Sequence, residues 1–488
     1  MSKFVNNKVK KMQAYSPPIE GRAKFDGLLL DFNERTLPPS DKIVDAMIDF
    51  AKSGRVQTYP EYADLNTKIA NYAGVKSSQV MAVNGSDQAI DVIFRTFTDA
   101  GDKIMIPRET FAMFAQRASL NGNEIVYEFD EDVRLIVICN PNNPTGEVLT
   151  LNDIEVVLKK AVNAVVYVDE AYFEYSDVSA VSLLNKYPNL VISRTFSKAW
   201  GLASLRVGYV LASSENISEM LKVRGPYDVN MMACCAVIAA LEDSSYMYEY
   251  VDEVMNVAKP MVEKFFDDNG IEYIKSFSNF ILFKPAKFQN SSYVFNKLNE
   301  RGVRLRMRGD KIRLTVGTKN QMLKFISTYK DVLSRAVKCA FIDRDGTLIF
   351  ESRGGGIVKD FQIIPGAIKA LKKMKEQGFR FVMVTNQDGL GTQYFPKKVF
   401  NKVQNKLIST LKKEGVEFDA VFICPHFESD NCACRKPKIG MLDRYLKDVK
   451  VDLKNSVMIG DRDSDEVFAR NLGVKFIRIK NNKFKYET

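Results

Sequence analysis

Short apolar runs alternate with amphipathic stretches along two long parts of the chain, which meet near Arg335. Apolar runs of this length predict buried strands, whereas a 3.6-residue apolar period predicts helices. This alternation is typical of α/β folds with largely parallel sheets. Strands are predicted at 79–83, 103–107, 124–128, 135–139, 165–168, 190–193, 277–284 and 311–316 in the first part, and at 339–342, 380–384, 420–424, 456–459 and 475–479 in the second.

Two α/β domains follow from this pattern, residues 1–335 and residues 336–488. The 488 residues suffice for two or three domains of ordinary size. A helix at 320–334 is predicted to close the first domain. No linker rich in Pro, Gly or Ser, no low-complexity tract and no internal repeat lies between the two parts.

The composition is that of a globular protein, with 46% hydrophobic and 27% charged residues, which argues against a disordered or fibrous chain. No apolar run reaches the roughly 18 residues of a membrane-spanning helix. The first residues have no apolar segment or small-residue cleavage site of a signal peptide. We therefore expect a cytoplasmic protein with no membrane partner.

The formal charge of +10 falls on the second part, with 29 basic against 19 acidic residues, while the first part has 41 of each. A basic segment can indicate nucleic acid. Here, however, most of the lysines fall on helix-like stretches and fit solvated faces. The charge favours a small anionic substrate, and we expect no nucleic-acid partner.

Three of the seven cysteines and the only histidine lie within eleven residues, at Cys424, His426, Cys432 and Cys434. The odd number of cysteines fits a reducing compartment. One imidazole and three thiolates form a complete tetrahedral set for Zn²⁺ and leave no position for water, so we predict a structural zinc ion. The alternative is a group of buried thiols without metal.

Four motifs of the first part are each weak alone. Lys198 follows a predicted strand in Phe-Ser-Lys-Ala-Trp-Gly, and Arg206 comes eight residues later. Asp169 ends another strand, Asn-Pro-Asn-Asn-Pro-Thr-Gly ends a third, and Asn-Gly-Ser-Asp-Gln opens a helix at 84. Together they supply what pyridoxal phosphate needs: a lysine for its carbonyl carbon, an acid for its ring nitrogen, and a helix start with an arginine for its phosphate.

In order and spacing, these motifs resemble fold-type-I aminotransferases, specifically the histidinol-phosphate aminotransferase family, over roughly residues 15–330. The resemblance implies that Lys198 carries the cofactor and moves the proton, and that the enzyme is a homodimer. The other cofactor-binding residues it implies are Ser86, Asp87, Phe111, Asn143, Asp169, Tyr172, Ser197 and Arg206, with Tyr59 reaching across a dimer interface. The substrate-binding residues it implies are Arg313, Arg306 and Tyr15.

Two positions depart from the pattern of that family. Phe111 stands where the family usually has a stacking tyrosine, so it can stack but lacks the hydroxyl. The segment 35–39 does not keep the usual proline–glycine spacing. Because that segment lines the substrate side in such enzymes, the departure bears on substrate identity rather than on the chemistry.

The second part places polar motifs after four predicted strands. Asp343 and Asp345 follow the first strand in Asp-Arg-Asp-Gly-Thr, Thr385 and Asn386 follow the next, and Lys436 and Asp461 follow later ones. Open α/β sheets bind ligands at this edge of their strands. The set suits phosphoryl transfer through an aspartyl-phosphate, in which acids, a cation and Mg²⁺ surround one phosphate.

These motifs resemble the haloacid-dehalogenase-like phosphatases over roughly residues 338–480. The resemblance implies that Asp343 attacks phosphorus and that Asp345 is the general acid and base. Mg²⁺ would bind Asp343, Asp461 and the backbone carbonyl of Asp345. Thr385, Asn386 and Lys436 would bind the substrate phosphate. The Cys/His loop narrows the resemblance to heptose-bisphosphate phosphatases and histidinol-phosphatases, and the run from Asn386 to Pro396 looks like the latter. The glycines at 354–356 depart from the family.

Each half thus resembles an enzyme of histidine biosynthesis, and the product of the first is the substrate of the second. The sequence predicts a bifunctional enzyme that transaminates imidazole-acetol phosphate with glutamate and then hydrolyses histidinol phosphate. One alternative keeps both chemistries but acts on dihydroxyacetone phosphate, giving serinol for a surface polysaccharide. A remoter alternative is a non-catalytic regulatory or scaffold protein.

Overall fold

The structure is a computed structural model that describes residues 4–286, 289–350, 361–480 and 484. The chain divides into two compact units. Unit 1 comprises Met1–Pro285 and Phe295–Thr328, and unit 2 comprises Ala286–Val294 and Tyr329–Thr488. The domain limits at 335 and 336 stay a prediction. The glycines at 354–356 lie outside the described residues.

Unit 1 has thirteen strands among the described residues. They are β1 (Leu28–Leu29), β2 (Val80–Val83), β3 (Lys103–Met105), β4 (Glu124–Val126), β5 (Val133–Cys139), β6 (Val165–Asp169), β7 (Leu190–Thr195), β8 (Gly208–Ala212), β9 (Glu272–Tyr273), β10 (Phe280–Lys284), β11 (Val303–Arg304), β12 (Arg306–Arg308) and β13 (Lys311–Thr315).

The helices of the same part of the chain pack around these strands. They are α1 (Asn7–Lys10), α2 (Asp41–Lys52), α3 (Ala63–Ala73), α4 (Gly85–Phe97), α5 (Ala112–Asn121), α6 (Leu151–Lys160), α7 (Phe173–Ser176), α8 (Ser214–Leu221), α9 (Met231–Glu242), α10 (Ser245–Asp252), α11 (Lys259–Asp268), α12 (Ser291–Asn299) and α13 (Lys319–Ser334). The division into units assigns parts of α12 and α13 to each unit.

The large sheet of unit 1 has seven strands in the order β2-β8-β7-β6-β5-β3-β4. Only β8 runs antiparallel, against β2 and β7. Its buried core includes Ile90, Ile93 and Phe94 of α4 packed with strand residues such as Val137 and Val191. Because β2, β5, β6 and β7 run in one direction, their carboxyl ends meet at a single edge. A second sheet, of order β12-β13-β10-β9, is antiparallel, and β12 lies at its edge.

Unit 2 is a five-stranded parallel sheet of order β16-β15-β14-β17-β18 with helices on both faces. Its strands are β14 (Cys339–Ile342), β15 (Arg380–Asn386), β16 (Phe418–Cys424), β17 (Val457–Gly460) and β18 (Lys475–Arg478), and its further helices are α14 (Ala367–Glu376), α15 (Lys397–Lys413), α16 (Asp443–Asp448) and α17 (Asp463–Leu472).

Alternate residues of β14 face the two layers of helices. Ala340 and Ile342 belong to one apolar core, which includes buried residues of α14 and α15. Cys339 and Phe341 belong to another, which includes buried residues of α16 and α17. The chain leaves the central strand β14 toward β15 on one side and returns through β17 on the other. Such a switch point opens a crevice at the carboxyl edge of the strands.

Both units have the α/β class that the hydrophobic pattern predicts. Among the described residues, every helix is too short or too polar to pass through a membrane.

Candidate active sites

The carboxyl edge of the large sheet in unit 1 contains a cavity of about 240 Å³. Lys198 follows β7, Asp169 ends β6, and Asn143 follows β5. Ser86 and Asp87 lie in the first turn of α4, directly after β2. All of these residues line the cavity, together with Tyr15, Phe32, Phe111, Tyr172, Ser197, Arg206, Arg308 and Arg313.

Lys198 lines this cavity, is half-buried, and donates a 2.8 Å hydrogen bond from Nζ to the carbonyl of Phe32. Desolvation, followed by the positive charge of Arg313, lowers the pKa of Lys198 to about 8. A lysine with such a pKa is neutral in about a tenth of the molecules at pH 7, far more than an ordinary lysine. It can therefore act as a nucleophile or a base.

Asp169 is 4% exposed and accepts a 2.9 Å hydrogen bond from Ser193 Oγ. Ser193 Oγ also lies 2.8 Å from the hydroxyl of Tyr167. Burial raises the pKa of Asp169 to about 7. The carboxyl group lies in the cavity without a cationic partner among the described residues, so it suits a ligand that brings a positive charge or an N–H donor.

A chain of hydrogen bonds connects three further residues that line the cavity, Tyr172, Asn143 and Arg313. Asn33 Nδ2 donates to the Tyr172 hydroxyl at 3.0 Å, and Asn143 Nδ2 donates to it at 3.5 Å. Arg313 Nη1 donates to Asn143 Oδ1 at 2.5 Å, while its Nε is buried with no hydrogen-bond partner. Burial lowers the pKa of Arg313 to about 10. Arg313 is thus a charged donor with unused capacity.

The start of α4 and Arg206 form the far end of the cavity. Arg206 Nη2 lies 3.1 Å from Asp87 Oδ2, and its Nη1 lies 3.4 Å from Ser197 Oγ. A Cβ at Gly85 would lie only 2.5 Å from Arg206 Nη2, and Gly85 has φ +71°, so glycine lets the guanidinium approach the helix start. Backbone amides, hydroxyls and a guanidinium converge here, as an anion site requires.

These residues fit pyridoxal phosphate. The helix start with Arg206 and Ser197 fits its phosphate, buried Asp169 fits its ring nitrogen, and Asn143 and Tyr172 offer hydrogen bonds to its phenolic oxygen. Phe111 packs edge-to-face with Tyr15, with ring centroids 6.4 Å apart. Its ring lines the cavity and supplies the stacking surface, without a hydroxyl.

Unit 2 brings Asp343, Asp461, Asp465 and Lys436 together at the crevice edge of its sheet. One oxygen from each of the three acids lies within 4.8 Å of the others. Lys436 Nζ donates to Asp343 Oδ1 at 2.5 Å and to Asp465 Oδ1 at 2.6 Å. Burial raises the pKa of Asp343, and the lysine opposes that shift. Three carboxylates around one point fit a Mg²⁺ ion, which prefers oxygen ligands.

Asp345 lies beside this cluster and is held by two donors. Arg344 Nη1 donates to its Oδ1 at 2.6 Å, and Gln387 Nε2 donates to its Oδ2 at 2.5 Å. Gln387 Nε2 also donates to Thr385 Oγ1 at 3.0 Å. The second acid of the pair therefore has a fixed orientation close to Thr385.

Glycine at position 346 is required by the approach of Asp461. A Cβ there would lie 2.2 Å from Asp461 Oδ2, and Gly346 has φ +75°.

The side chain of Asn386 holds the backbone of Lys436 instead of pointing freely into the crevice. Its Nδ2 donates to the carbonyl of Lys436 and its Oδ1 accepts from the amide of Lys436, both at 3.1 Å.

Cys424, His426, Cys432 and Cys434 converge in the loop that follows β16. The three sulfur atoms lie 3.4 to 3.6 Å apart, and His426 Nδ1 lies 3.2 Å and 3.5 Å from two of them. Zinc–sulfur bonds of about 2.3 Å in a tetrahedron place the sulfur atoms about 3.8 Å apart. All four residues are within reach of one ion, and none of the cysteines is in a disulfide. The donor set fits Zn²⁺.

The first half of the chain matches a large enzyme family. Residues 26–328 match the model described as aminotransferase class I and II. The chain belongs to this family. Residues 338–481 match the model described as polynucleotide kinase 3 phosphatase. The chain is thus an aminotransferase fused to a phosphatase-like domain.

Among curated proteins, it is 32% identical to a histidinol-phosphate aminotransferase of Caldanaerobacter subterraneus over 330 residues, which cover 62% of this chain and 93% of the relative. It is 35% identical to a dihydroxyacetone phosphate transaminase of Campylobacter jejuni over 323 residues, covering 60% of this chain and 87% of the relative.

A solved structure has the fold of the aminotransferase unit. It is the histidinol-phosphate aminotransferase of Sinorhizobium meliloti in complex with pyridoxal-5'-phosphate, with a TM-score of 0.62 and 21% identity. The match covers 68% of this chain and 98% of that one. Membership of the aminotransferase family supports pyridoxal phosphate as the cofactor of unit 1.

Two of the predicted residues do not line the aminotransferase cavity. Tyr59 is 75% exposed and stacks on Tyr227, with ring centroids 4.2 Å apart. Arg306 lies over the ring of Phe32, at 5.4 Å from its centroid. The segment 35–39, expected on the substrate side, does not line it either. Arg35 lies over the rings of Tyr246 and Tyr250.

The structure adds three residues to those the sequence analysis predicted. Arg308 lines the aminotransferase cavity, Asp465 pairs with Lys436, and Gln387 bridges Asp345 and Thr385. A signal exists for Asp465, which lies four residues after Asp461 at the start of a helix. No local pattern in the sequence identifies Gln387 or Arg308. A glutamine that follows a strand, as Gln387 does, usually faces solvent, and so does an arginine in a basic run, as Arg308 is.

Proposed function

We propose that this aminotransferase uses glutamate to aminate a keto-alcohol phosphate and that the phosphatase-like unit then hydrolyses the resulting amino-alcohol phosphate. The observation that carries the proposal is that one chain holds both sites: the Lys198–Asp169–Arg313 cavity and the Asp343–Lys436 crevice. Imidazole-acetol phosphate is the preferred substrate, with histidinol as the final product, because the relatives include histidinol-phosphate aminotransferases and the run from Asn386 to Pro396 resembles that of histidinol-phosphatases.

In the first reaction, the chain's residues bind and orient the substrate and move one proton. Pyridoxal phosphate, when bound, supplies an electron sink for the carbanion at the reacting carbon. Asp169 would hold its ring nitrogen protonated, and Arg206 with the start of α4 would hold its phosphate. Lys198 would take the proton from the α-carbon of glutamate and later return a proton to the carbon of the acceptor. Arg313 would bind the glutamate carboxylate.

In the second reaction, Asp343 would attack phosphorus, and the bond from phosphorus to the alcohol oxygen would break. Asp345 would give a proton to the leaving alkoxide and then take one from the water that cleaves the aspartyl-phosphate. Lys436 and Thr385 would bind the phosphoryl oxygens. Asp343, Asp461, Asp465 and the carbonyl of Asp345 would hold Mg²⁺, which neutralises charge on the transferring group. The Cys/His loop would hold a structural Zn²⁺.

Dihydroxyacetone phosphate is the second candidate substrate and would yield serinol. A specific observation favours it, namely the 35% identity to a transaminase named for that substrate. The same residues would act in the same roles, so the two candidates differ only in the group that occupies the side of the cavity away from the phosphate.

The proposal is tested with the purified full-length chain, glutamate, and either imidazole-acetol phosphate or dihydroxyacetone phosphate. We expect glutamate-dependent formation of 2-oxoglutarate, followed by phosphate release. The higher kcat/KM identifies the substrate. Absence of 2-oxoglutarate with both acceptors would contradict the proposed function, and its formation without phosphate release would contradict the bifunctional part. We also propose that the protein is cytoplasmic and that it forms a homodimer through the aminotransferase unit. Sedimentation of the purified chain can test the dimer.

A further inference from the structure

Arg308 lies on β12, the three-residue edge strand of the small sheet of unit 1. Its side chain lines the cavity that holds Lys198, and its Nε is buried with no hydrogen-bond partner. In the described part of the chain, its guanidinium makes no ion pair. A buried donor without a partner costs free energy unless a ligand satisfies it.

The other arginines around the cavity differ from Arg308. Arg206 pairs with Asp87, and Arg313 donates to Asn143 and to the carbonyl of Asp31 through its terminal nitrogens, although its Nε also lacks a partner. Arg306 lies on the same face of β12, two residues before Arg308, but it covers the ring of Phe32 and does not line the cavity. Arg308 is therefore the guanidinium that this strand presents to the cavity.

The acids near Arg308 pair with other cations. The positive charges of Arg308 and Arg306 contribute to the lowered pKa of Arg313, after burial, which shows that the three guanidinium groups feel one another. Asp31 is already paired with Arg22 and Arg304. Lys284 pairs with Asp310, which follows Arg308 closely along the chain. Such an excess of positive charge suits a dianion better than a single carboxylate.

Arg308 also lies at the mouth of the cavity. It lines a neighbouring surface hollow together with Arg108, Glu109, Asp310 and Lys311, and Glu109 pairs there with Lys311 at 4.0 Å. The α-carboxylate of glutamate is attached directly to the reacting carbon, where the buried Arg313 can bind it. The γ-carboxylate of glutamate and the phosphorus of a keto-alcohol phosphate both lie three bonds from that carbon, within reach of a cation at the mouth. Such a cation binds the phosphate dianion more strongly than the single negative charge of the γ-carboxylate.

We propose that Arg308 binds the phosphate of the keto-alcohol phosphate and so determines the preference of this enzyme for a phosphorylated amino acceptor. The inference deepens the proposed function and rests on it. Arg308 is a substrate-binding residue in this assignment, and it contributes more to the half-reaction with the acceptor than to the half-reaction with glutamate.

The test compares Arg308→Gln, Arg308→Lys and Arg306→Gln with the wild-type holoenzyme. Arg108→Gln is the matched control, because Arg108 is an exposed arginine that lines only the outer hollow. Each half-reaction is followed separately in single turnovers from the absorbance of the cofactor. Inhibition of the glutamate half-reaction by inorganic phosphate reports anion binding without the acceptor. The absorbance of the bound cofactor checks that the aminotransferase unit of each variant is folded.

We expect Arg308→Gln to lower kcat/KM for the keto-alcohol phosphate about 10- to 100-fold, as the loss of a charge-assisted hydrogen bond predicts. The inhibition constant of phosphate should rise by a similar factor, and kcat/KM for glutamate should fall clearly less than kcat/KM for the acceptor, because the γ-carboxylate of glutamate carries a single charge. Arg308→Lys should recover part of the loss, because it keeps the charge but not the two-pronged geometry. Arg108→Gln should behave as wild type.

Three results would overturn the assignment. They are an unchanged kcat/KM for the acceptor in Arg308→Gln, equal losses in both half-reactions, and a larger loss in Arg306→Gln than in Arg308→Gln. Failure of the proposed function gives a different result, since the wild-type enzyme itself would then not aminate either keto-alcohol phosphate.

Discussion

At the scale of single residues, burial sets the chemistry of the aminotransferase cavity. Asp169 and Lys198 are both desolvated, and their pKa values move toward each other, to about 7 and about 8. Burial raises the pKa of the acid and lowers that of the base because it disfavours both charged forms. The site thus contains an acid and a base that both titrate near neutral pH, as proton transfer requires.

The raised pKa of Asp169 predicts how the stability of the cofactor-free protein depends on pH. Between the unfolded value of about 3.8 and the folded value of about 7, the folded state binds more protons than the unfolded state. Its free energy of unfolding therefore falls as pH rises through this window, by about 1.4 kcal/mol for each pH unit inside it. Asp169→Asn should remove this fall, as urea unfolding at pH 4.5 and pH 7.5 can measure. The same slope in wild type and variant would contradict the prediction.

Lys198→Ala should abolish transamination, with a loss of at least about 10³-fold in kcat, because in the proposed mechanism the residue both carries the cofactor and moves the proton. Phosphatase activity should stay within about twofold of wild type. Asp343→Asn is the reciprocal control, since it removes the phosphatase nucleophile and leaves the aminotransferase unit intact. Transamination near the wild-type rate in Lys198→Ala would show that another group is the base.

The division of labour between Asp343 and Asp345 predicts a dependence on the leaving group. Asp345→Asn removes only proton transfer, which an aryl phosphate needs much less than an alkyl phosphate. In rapid-mixing measurements of the phosphorylation step, the variant should lose about 10²-fold or more with histidinol phosphate and clearly less with an aryl phosphate. Asp343→Asn should lose activity with both. Equal fractional losses of Asp345→Asn on the two substrates would exclude it as the general acid.

At the scale of elements, the loop from Cys424 to Lys436 connects a predicted metal centre to a phosphate-binding lysine. Asp388 accepts hydrogen bonds from both terminal nitrogens of Arg435, and Arg435 Nη1 donates to the carbonyl of His426 at 3.1 Å. Asn386 fixes the backbone of Lys436 from the neighbouring strand. The position of the lysine therefore depends on the conformation of the whole loop.

Cys432→Ser should lower the zinc content measured by metal analysis and lower the kcat/KM of the phosphatase about 10- to 100-fold, because Lys436 loses its fixed position. The thermal midpoint of phosphatase inactivation should fall as well. Cys235→Ser, a change on α9 far from the loop in sequence, should alter neither. Well-folded, active wild-type protein that contains no zinc would refute the structural role of the metal.

The sequence predicts most central strands because they are continuous apolar runs. β14 has the predicted limits, and β5, β6, β7 and β15 differ by one to two residues at their ends. It does not predict β8, where a short run after Arg206 pairs antiparallel with two parallel neighbours. Nor does it predict β12, whose residues Arg-Met-Arg have no apolar period. Both strands depend on pairing with distant strands, which no local pattern records.

The candidate sites likewise contain residues that a local pattern indicates and residues that only the fold brings together. The sequence singles out Lys198, Asp169, Asp343 and the cysteines of the Cys/His loop, because each lies in a motif whose proposed chemistry requires that residue type. Arg308, Gln387 and Asp465 reach the same candidate sites only because the fold brings distant positions together. Asn386 was predicted as a substrate ligand, but its side chain holds the backbone of Lys436, a contact that only the folded chain reveals.

At the scale of the whole molecule, unit 2 includes residues that the predicted limit at 335 assigns to the first domain. Tyr329 and Val332 of α13 are buried, with 0% and 2% exposure. The ring of Tyr293 lies over the guanidinium of Arg380, 5.1 Å from its carbon. A phosphatase domain cut at 336 would lack all three side chains.

We expect the fragment 336–488 to unfold at a lower temperature than the fragment 329–488, because truncating buried apolar side chains costs about 2–5 kcal/mol each. Phosphatase activity in the full-length chain should be the most resistant to heat. Differential scanning fluorimetry, together with measurements of phosphatase activity after heating, gives the order of the unfolding temperatures of the two fragments and the full-length chain. Equal midpoints for the two fragments would support a domain limit at 335.

The edge position of β12 has a consequence for how such an enzyme diversifies. An edge strand pairs on one side only, so β12 can exchange side chains without repacking a second neighbour. Lys198 and Asp169, the proposed base and ring-nitrogen partner, lie at the ends of central strands of a different sheet, where replacements of buried residues are costly. Substrate range and reaction type can therefore be inherited separately, and a lineage can acquire a new acceptor through single substitutions at 306–308 while its transamination chemistry stays unchanged.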